Sequence, residues 1–485
     1  MKKNTSIKKN FILSMFFQIL NIITPLITAP YISRVLGANA VGIYSYTSSI
    51  QLYFSIFAAL GTATYGCREI AICRDNHDQR SKLFWEIELL TVFTSIICLI
   101  MYIVLILFSS NYAIFLIALG IKLINTMLDI SWFYIGIEEL KYIVFKNAFF
   151  KIVGIALLFM FIKEPSDLLL YILIMCGTTF FGTITMWLYI PKFINKIEFQ
   201  KLNIFGHLRH TIIFFIPTIA TTIYTNIDKT LIGLITKDMK ESAYYEQTTK
   251  ILDLAKSVTF VSLNSLLTSR MSYLYSQRKI DEMKEKIKIS MNYILFLGTG
   301  IAFGIIGVSN RFVPLFFGNG YDKVNLLLRV FIFIVIINGI TNCLETQYFT
   351  PAGRRKESTK FIIFGTLINI VLNIIFIPFL SSLGAIISSM IAEIVIAVLY
   401  IKKCDNFVNI KYILLLSLKK IISGMVMLIV IFFIDNFVSD NIIAIILEIG
   451  AGSITYIVFL TLLQDKFIKY IYKIVFSYVK NKLKL

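Results

Sequence analysis

The sequence predicts an all-α polytopic membrane protein with about 14 transmembrane helices, arranged as two pseudo-symmetric six-helix lobes around a central cavity with two extra C-terminal helices. Two features of composition carry this prediction. Hydrophobic residues make up 57% of the 485 positions and charged residues 15%, against about 25% charged residues in a typical soluble domain. Apolar runs of about 20 residues, long enough to cross a bilayer core of about 30 Å, recur along the whole chain.

Short polar connections separate the apolar segments. The first segment follows four lysines, but its length and the absence of a small-residue cleavage site favour a retained membrane helix over a signal peptide. The predicted segments are 10–33, 40–66, 83–108, 112–136, 142–162, 167–190, 210–235, 245–270, 289–310, 324–349, 359–378, 384–401, 413–433 and 441–463.

The basic residues orient these segments. With the N-terminus inside, 35 of the 47 Lys and Arg residues fall on the inner side and 6 in outer connections. Because cytoplasmic loops are enriched in basic residues, we expect both termini in the cytoplasm. The formal charge of +19 then reflects topology and contact with anionic membrane lipids, and we expect no nucleic-acid partner.

Two stretches of the chain echo each other. Tyr44 and Arg68 flank the second predicted helix as Tyr245 and Arg270 flank the eighth, at offsets of 201 and 202 residues. Parallel repeats of this kind build transporters with a central cavity and alternating access. The predicted domains are an N-terminal lobe over 1–200, a C-terminal lobe over 201–405, two further helices over 406–463 and a basic amphipathic tail over 464–485.

The sequence offers little chemistry of other kinds. The six cysteines form no CxxC pair, the three histidines show no metal-ligand spacing, and no GxxxxGK[ST] loop is present. We therefore expect no metal, no cofactor and no ATP hydrolysis in this chain.

Several stretches, in this order and spacing, resemble one family. They are PLITAPYISRVLGANAVGIYSYTSSI at 25–50, GTATYGCREIA at 61–71, WFYIGIEELKYI at 132–143, NIDKTLIGLI at 226–235, YYEQTTKI at 244–251 and ETQYFTPAGRRKE at 345–357. The chain resembles the Wzx-type polysaccharide flippases of the multidrug/oligosaccharidyl-lipid/polysaccharide exporter superfamily.

The resemblance implies a transporter and not an enzyme. It implies that an undecaprenyl-diphosphate-linked oligosaccharide moves from the inner to the outer leaflet of the bacterial cytoplasmic membrane, for O-antigen or capsule assembly. It also implies alternating access, a proton or sodium gradient as the candidate coupling, and the polymerase and chain-length regulator of the same pathway as candidate partners. The sugar carried and the coupling ion are left open.

Charges within the eighth predicted helix are candidates for binding the diphosphate. Lys250, Asp253 and Lys256 follow each other at three-residue spacing, so each neighbouring pair can form an ion pair. Two lysines share one aspartate, and the surplus positive charge can face the cavity. The alternative is a structural ladder of ion pairs.

The seventh predicted helix carries Asp228 and Lys229 within an apolar run. Charges inside hydrocarbon cost about 2.5–3.5 kcal/mol each on insertion scales, and adjacent residues point about 100° apart on a helix. We expect Asp228 to share one hydrated cavity with Lys250 and Lys256 or to bind a coupling ion, and Lys229 to pair elsewhere. A structural pair is the alternative.

Three arginines complete the candidate site. Arg68 and Arg270 lie at the inner ends of related helices, where they either form a cationic mouth for the diphosphate or anchor the helices. Arg34 is a rare outer basic residue that can retain or release the headgroup. Four further intramembrane charges receive no role beyond pairing: Asp129, Lys151, Glu345 and Glu393.

Other functions are weighed against the flippase. A cavity for organic cations should be acidic, but the seventh and eighth helices carry three Lys and two Asp, which disfavours a drug antiporter. A membrane polymerase should have a large outer loop, and the outer connections are short. The sequence does not distinguish a lipid II flippase from a flippase for lipid-linked oligosaccharides.

Overall fold

The computed structural model describes residues 7–109, 111–195, 197–198, 200 and 202–473. No strand occurs among these residues, so the predicted all-α class is confirmed. The chain divides into two compact units, unit 1 over Met1–Ala243 and unit 2 over Tyr244–Leu485. The predicted lobe boundaries concern the internal repeat and stay a prediction.

Nine helices of unit 1 are described. The helix that begins at His77 is capped by Asn76, whose side chain accepts a hydrogen bond from the backbone N–H of Gln79 at 3.1 Å. The helices are α1 Ile7–Ala59, α2 Thr62–Ile72, α3 His77–Leu107, α4 Ala113–Leu119, α5 Ile121–Leu128, α6 Ser131–Gly136, α7 Leu140–Phe161, α8 Leu168–Trp187 and α9 Leu208–Thr236.

The helix α1 is bent at Gly37, where the backbone leaves the helical region at φ +73°. The sequence predicts a connection between segments 10–33 and 40–66, and the break at Gly37 lies within that connection, with helical backbone on both sides. Left-handed φ values are unfavourable for residues with a Cβ atom. A glycine therefore lets two helical arms continue through a sharp bend without an intervening loop.

Aromatic side chains form the core at one end of unit 1. The ring centroid of Phe84, on α3, lies 5.7 Å from that of Trp132 and 5.0 Å from that of Phe133, both on α6. Tyr134 is fully buried, and its hydroxyl donates to the Met186 carbonyl at 2.6 Å. This cluster fixes α6 and the end of α8, the elements next to the cavity described below.

Nine further helices lie wholly within the described residues, of which α10 begins at the end of unit 1. Two π-helical turns interrupt the series, Ser257–Val261 between α10 and α11, and Glu345–Phe349 after α14. The helices are α10 Met239–Lys256, α11 Ser262–Ser276, α12 Ile280–Phe317, α13 Asp322–Phe331, α14 Ile334–Leu344, α15 Arg355–Leu380, α16 Ser382–Lys403, α17 Ile410–Phe437 and α18 Asn441–Leu462.

Ten helical stretches among the described residues are long and apolar enough to cross a membrane, or eleven if the bent pair of α13 and α14 is one span. The protein is therefore a multi-pass membrane protein. The first stretch, Ile22–Ile72, covers two of the predicted segments. Neither α9 nor the pair α10 and α11 is among the ten, because polar residues interrupt them. The count of 14 spans stays a prediction.

The predicted basic tail begins as a helix. Phe467 and Ile468 are buried, whereas Lys466, Lys469 and Lys473 are exposed, so this first part is amphipathic. The tail beyond residue 473 lies outside the described residues.

Candidate functional site: a cationic cavity in unit 1

A cavity of about 340 Å³ lies inside unit 1. On α7 its lining recurs every fourth residue, from Lys146 through Phe150 and Gly154 to Leu158, so one face of that helix forms a wall. The facing wall is α8, with α1 and the end of α5 closing the sides. The further lining residues include Tyr171, Met175, Thr178, Thr179, Gly182 and Thr183 on α8, Thr24 and Thr28 on α1, and Asn125 and Asp129 at α5.

Two glycines set the distance between α7 and α8. A Cβ atom at Gly154 would lie 3.3 Å from the Thr178 hydroxyl, and one at Gly182 would lie 3.2 Å from the ring of Phe150. The same atom at Gly182 would lie 3.4 Å from the Lys146 side chain. The absence of a side chain at Gly182 therefore gives Lys146 and Phe150 their space.

Threonine hydroxyls make the wall polar. The hydroxyl of Thr178 donates to the Ile174 carbonyl at 2.8 Å, and that of Thr24 donates to the Leu20 carbonyl at 2.7 Å. A hydroxyl oxygen that donates its hydrogen still has lone pairs to accept with. The wall can therefore accept hydrogen bonds from hydroxyl groups of a ligand, such as those of a sugar.

Lysines outnumber acidic residues along the cavity. Lys146 and Lys151, both half-buried, line the cavity together with one aspartate, Asp129. The Asp129 carboxylate already accepts hydrogen bonds from the backbone N–H of Ser131, at 3.0 Å, and from its hydroxyl. Among the described residues the buried side-chain oxygen of Asn125 has no hydrogen-bond partner. The cavity thus suits a polar, anionic ligand, since ammonium groups bind phosphate oxygens.

A buried carboxyl group lies on α3, near the cavity. Glu88 is 1% exposed, and neither of its carboxyl oxygens has a hydrogen-bond partner among the described residues. It interacts electrostatically with Asp129, which lines the cavity. A buried polar group without a partner is costly, so Glu88 is a candidate for a functional group that sequence reasoning missed.

The predicted lysines of the eighth helix lie in unit 2, on α10. The ammonium of Lys256 is 3.4 Å from Asp253, and that of Lys250 is 3.6 Å from Glu246. The structure thus pairs Asp253 with one of the two lysines. A π-helical turn starts directly after Lys256, and such turns often occur at functional sites.

The structure places Asp228 and Lys229 on different sides of α9. Asp228 is 2% exposed, whereas Lys229 is half-buried. The turn of α9 that contains Asp228 contacts α1. There the Thr230 hydroxyl lies 2.8 Å from the hydroxyl of Ser49. Asp228 belongs to unit 1 and the α10 lysines to unit 2, and their shared cavity stays a prediction.

The three predicted arginines are exposed, and none of them is among the residues that line the unit 1 cavity. Arg68 lies 3.7 Å from Glu69, and Arg270 lies 3.2 Å from Glu282. Arg34 is on the first arm of α1. Their proposed roles as a mouth for the headgroup and an outer release point stay predictions.

Another arginine, within the stretch ETQYFTPAGRRKE, has a structural setting. Arg354 lies 2.7 Å from Glu357 and 3.0 Å from Asp405. Hydrogen bonds to Glu357 hold the pKa of Arg354 above its usual range. Arg354 therefore holds the start of α15 against the end of α16.

Unit 2 contains a buried amide network that sequence reasoning also missed. The Asn264 side chain donates to the Asn342 oxygen at 2.7 Å and accepts from Gln347 at 2.6 Å. The network links α11, α14 and the second π-helical turn. The available sequence signal is the occurrence of amide side chains within otherwise apolar helices.

The all-helical fold, the repeated spans and the polar cavity inside them define a polytopic membrane transporter. Residues 7–267 match the family described as "Polysaccharide biosynthesis protein", so the chain belongs to that family. Two curated relatives are each called "Putative O-antigen transporter". The one from Shigella dysenteriae is 22% identical and aligns over 81% of this chain and 99% of its own length. The one from Escherichia coli (strain K12) is 21% identical and aligns over 83% and 97%.

Solved structures share the fold. The lipid II flippase MurJ in an inward closed conformation aligns over 94% of this chain and 98% of its own, with a TM-score of 0.70 and 16% identity. A MATE transporter in complex with MaD3S aligns over 82% and 96%, with a TM-score of 0.53 and 16% identity. The predicted resemblance to the exporter superfamily is confirmed. The relatives are transporters and flippases and not enzymes, in agreement with the prediction.

Proposed function

We propose that the protein moves an undecaprenyl-diphosphate-linked oligosaccharide repeat unit from the inner to the outer leaflet of the bacterial cytoplasmic membrane, for assembly of a surface polysaccharide such as O-antigen or capsule. One observation carries the proposal. A membrane-embedded cavity lined by Lys146, Lys151 and several threonines occurs in a chain of the polysaccharide biosynthesis family.

The cavity chemistry matches the parts of this substrate. Ammonium groups of Lys146 and Lys151 can bind the diphosphate, and each hydrogen bond to a charged group contributes about 1.5–3 kcal/mol. Threonine oxygens can accept from sugar hydroxyls. A volume of about 340 Å³ is at the lower end of the range of about 300–1,000 Å³ for ligand pockets. It has room for the diphosphate and its nearest sugar and not for a whole repeat unit.

Transport by alternating access needs a source of energy, and this proposal assigns it to a proton or sodium gradient. Asp228 is the carboxyl group predicted from the sequence for this task. Glu88 is a second candidate, because it is 1% exposed and its neighbouring donor, the indole N–H of Trp132, forms no hydrogen bond of good geometry with it.

The surplus of lysine also bears on the other candidate functions. An organic cation would be repelled by Lys146 and Lys151, which disfavours a drug antiporter. A lipid II flippase would use the same diphosphate anchor, and the solved MurJ structure shares the fold. The positive charge of the cavity therefore distinguishes an anionic lipid from a cationic drug. It does not distinguish one lipid-linked sugar from another.

A deletion strain tests the proposal. Loss of the gene should leave lipid-linked repeat units on the inner leaflet and abolish the surface polymer. The double variant Lys146→Ala/Lys151→Ala should fail to restore the polymer, whereas Lys411→Ala, an exposed lysine at the start of α17, should restore it. Normal polymer in the deletion strain together with sensitivity to cationic drugs would establish the antiporter instead.

The lysines of α10 are tested in the same strain. Lys256→Ala should abolish polymer export while the protein stays abundant in the membrane, and Lys256→Arg should retain part of the activity because the charge survives. Wild-type export in both Lys250→Ala and Lys256→Ala strains would reduce these lysines to structural pairs.

A further inference from the structure

A second concave surface lies on the flank of unit 1, between the first half of α7 and the end of α8. This side groove has a volume of about 440 Å³. Its lining is mainly aromatic and includes Tyr142, Phe145, Phe149 and Tyr189, with Lys141 at one end. Its chemistry therefore differs from that of the polar cavity.

The side groove and the cavity share part of their walls. Lys146 and Phe150 line both spaces, and both side chains are close to Gly182. These two side chains therefore form part of the partition between the two spaces. A lysine at this point can attract an anionic group from the groove toward the cavity.

The aromatic side of the groove is exposed on the outer surface of α7. Phe145 is 74% exposed and Phe149 is 52% exposed, with ring centroids 6.4 Å apart. Large exposed apolar rings on a membrane-spanning helix are suited to contact with lipid chains. These rings offer an apolar surface to a hydrocarbon chain.

The other end of the groove has the features of a membrane–water interface. The rings of Tyr142 and Tyr189 lie 4.7 Å apart. The ammonium of Lys141 is 4.9 Å from the centre of the Tyr142 ring, and that of Lys192 is 5.2 Å from the centre of the Tyr189 ring. Tyrosines and lysines of this kind belong at headgroup level.

The groove is confined to one leaflet. From Tyr142 to Phe149 the helix rises seven residues, or about 10 Å at about 1.5 Å per residue. The hydrocarbon core is about 30 Å thick. On the predicted topology this end of α7 is cytoplasmic, so the groove faces the leaflet from which the proposed substrate comes.

We propose that the side groove is the lateral entrance for a polyprenyl-diphosphate lipid, whose hydrocarbon chain lies against Phe145 and Phe149 while its diphosphate is drawn past Lys146 into the cavity. The inference rests on the proposed function and adds the route of entry. The diphosphate would meet Lys141 and Lys192 at headgroup level before it meets Lys146. Because Lys141 also lies 3.1 Å from the Glu139 carboxylate, the diphosphate would compete with that carboxylate at headgroup level.

The test uses the full chain in vesicles of phosphatidylethanolamine and phosphatidylglycerol, with radiolabelled undecaprenyl diphosphate as the probe. The photo-crosslinking residue p-benzoylphenylalanine replaces either Phe145 or, as a control, Phe379, which is 83% exposed on α15. Labelling at position 145 should be several-fold higher than at position 379. Excess unlabelled undecaprenyl diphosphate should compete, and an equal amount of phosphatidic acid should not.

A matched pair of substitutions then fills or spares the groove. Thr185→Trp places an indole in the groove and should remove the labelling at position 145. Ile184→Trp, at the neighbouring position outside the groove lining, should leave it unchanged. Equal labelling at the two crosslinking positions, competition by phosphatidic acid, or full labelling in Thr185→Trp would each overturn the proposal.

Binding of inorganic diphosphate separates this proposal from the proposed function. Thr185→Trp should still bind inorganic diphosphate in the cavity, because the indole fills only the groove and the lysines of the cavity remain. If the unsubstituted protein binds inorganic diphosphate but shows no preferential labelling at position 145, the entrance is wrong and the flippase stands. If it binds neither probe, the flippase proposal fails as well.

Discussion

The ammonium group of Lys420 lies 3.0 Å from the carboxylate of Asp465, and both side chains are buried. The pair joins α17 to the beginning of the tail helix. Asp465 also accepts from the backbone N–H of Phe467 at 2.9 Å, which caps that helix. One aspartate therefore serves both as an ion-pair partner and as a helix cap.

We expect Lys420→Met to destabilise the protein, because it leaves the Asp465 carboxylate buried without its cation. Breaking a buried pair in this way costs about 3–5 kcal/mol. The double variant Lys420→Met/Asp465→Leu should regain much of the loss. The thermal unfolding midpoint of the purified protein in detergent measures both effects, and a double variant no more stable than the single one would contradict the explanation.

The bend of α1 gives a second prediction. Gly37→Ala should destabilise the bent helix by about 1–3 kcal/mol, because the backbone there has φ +73° and ψ 171°, a region that residues with a Cβ atom almost never adopt. No atom of the described part of the chain lies within 4 Å of the added Cβ, so a steric clash is not the cause. Gly177→Ala is the matched control, since Gly177 is helical and equally open. Equal unfolding midpoints for the two variants would contradict the strain argument.

Orientation is tested by reporter fusions. A reporter that is active only outside the cytoplasm should give a signal when fused after Ser109 and none when fused after Gln277. The reason is the excess of basic residues on the predicted inner side. The reverse pattern would invert the topology and place the side groove in the outer leaflet.

Glu88 and Asp228 make different predictions for coupling. If Glu88 carries the coupling proton, Glu88→Gln should make polymer export insensitive to dissipation of the proton gradient, because the amide cannot release a proton. Asp228→Asn should then impair export without changing that sensitivity. The measurement is export with and without a protonophore. A loss of sensitivity in Asp228→Asn alone would assign coupling to Asp228.

Hydropathy predicts much of the fold because lipid selects apolar residues along each span. The predicted segment 142–162 corresponds to α7, Leu140–Phe161, and the segment 413–433 lies within α17, Ile410–Phe437. Hydropathy predicts a connection between residues 33 and 40, where the break at Gly37 lies, but it does not predict the form of that connection. The surrounding residues are compatible with either a loop or a helix, and a single φ angle decides between them.

The cavity could be predicted only in part. Lys151 and Asp129 are recognisable as intramembrane charges, but Lys146 counts among the inner basic residues because it is close to the end of its segment. The structure starts α7 at Leu140, which places Lys146 almost two turns inside the helix. The lining comes from five helices between α1 and α8, and no local pattern reports which of their faces meet.

The central claim is that the lysines of the unit 1 cavity carry the diphosphate during transport. The most direct test is translocation of a fluorescent undecaprenyl-diphosphate-linked oligosaccharide across vesicles that contain the purified protein, read by quenching of the outer leaflet. Loss of two charge-assisted contacts of about 1.5–3 kcal/mol each should weaken binding at least about tenfold per lysine. Lys146→Ala/Lys151→Ala should therefore lose translocation, and Lys411→Ala should keep it. Translocation at the wild-type rate by the double variant would contradict the account.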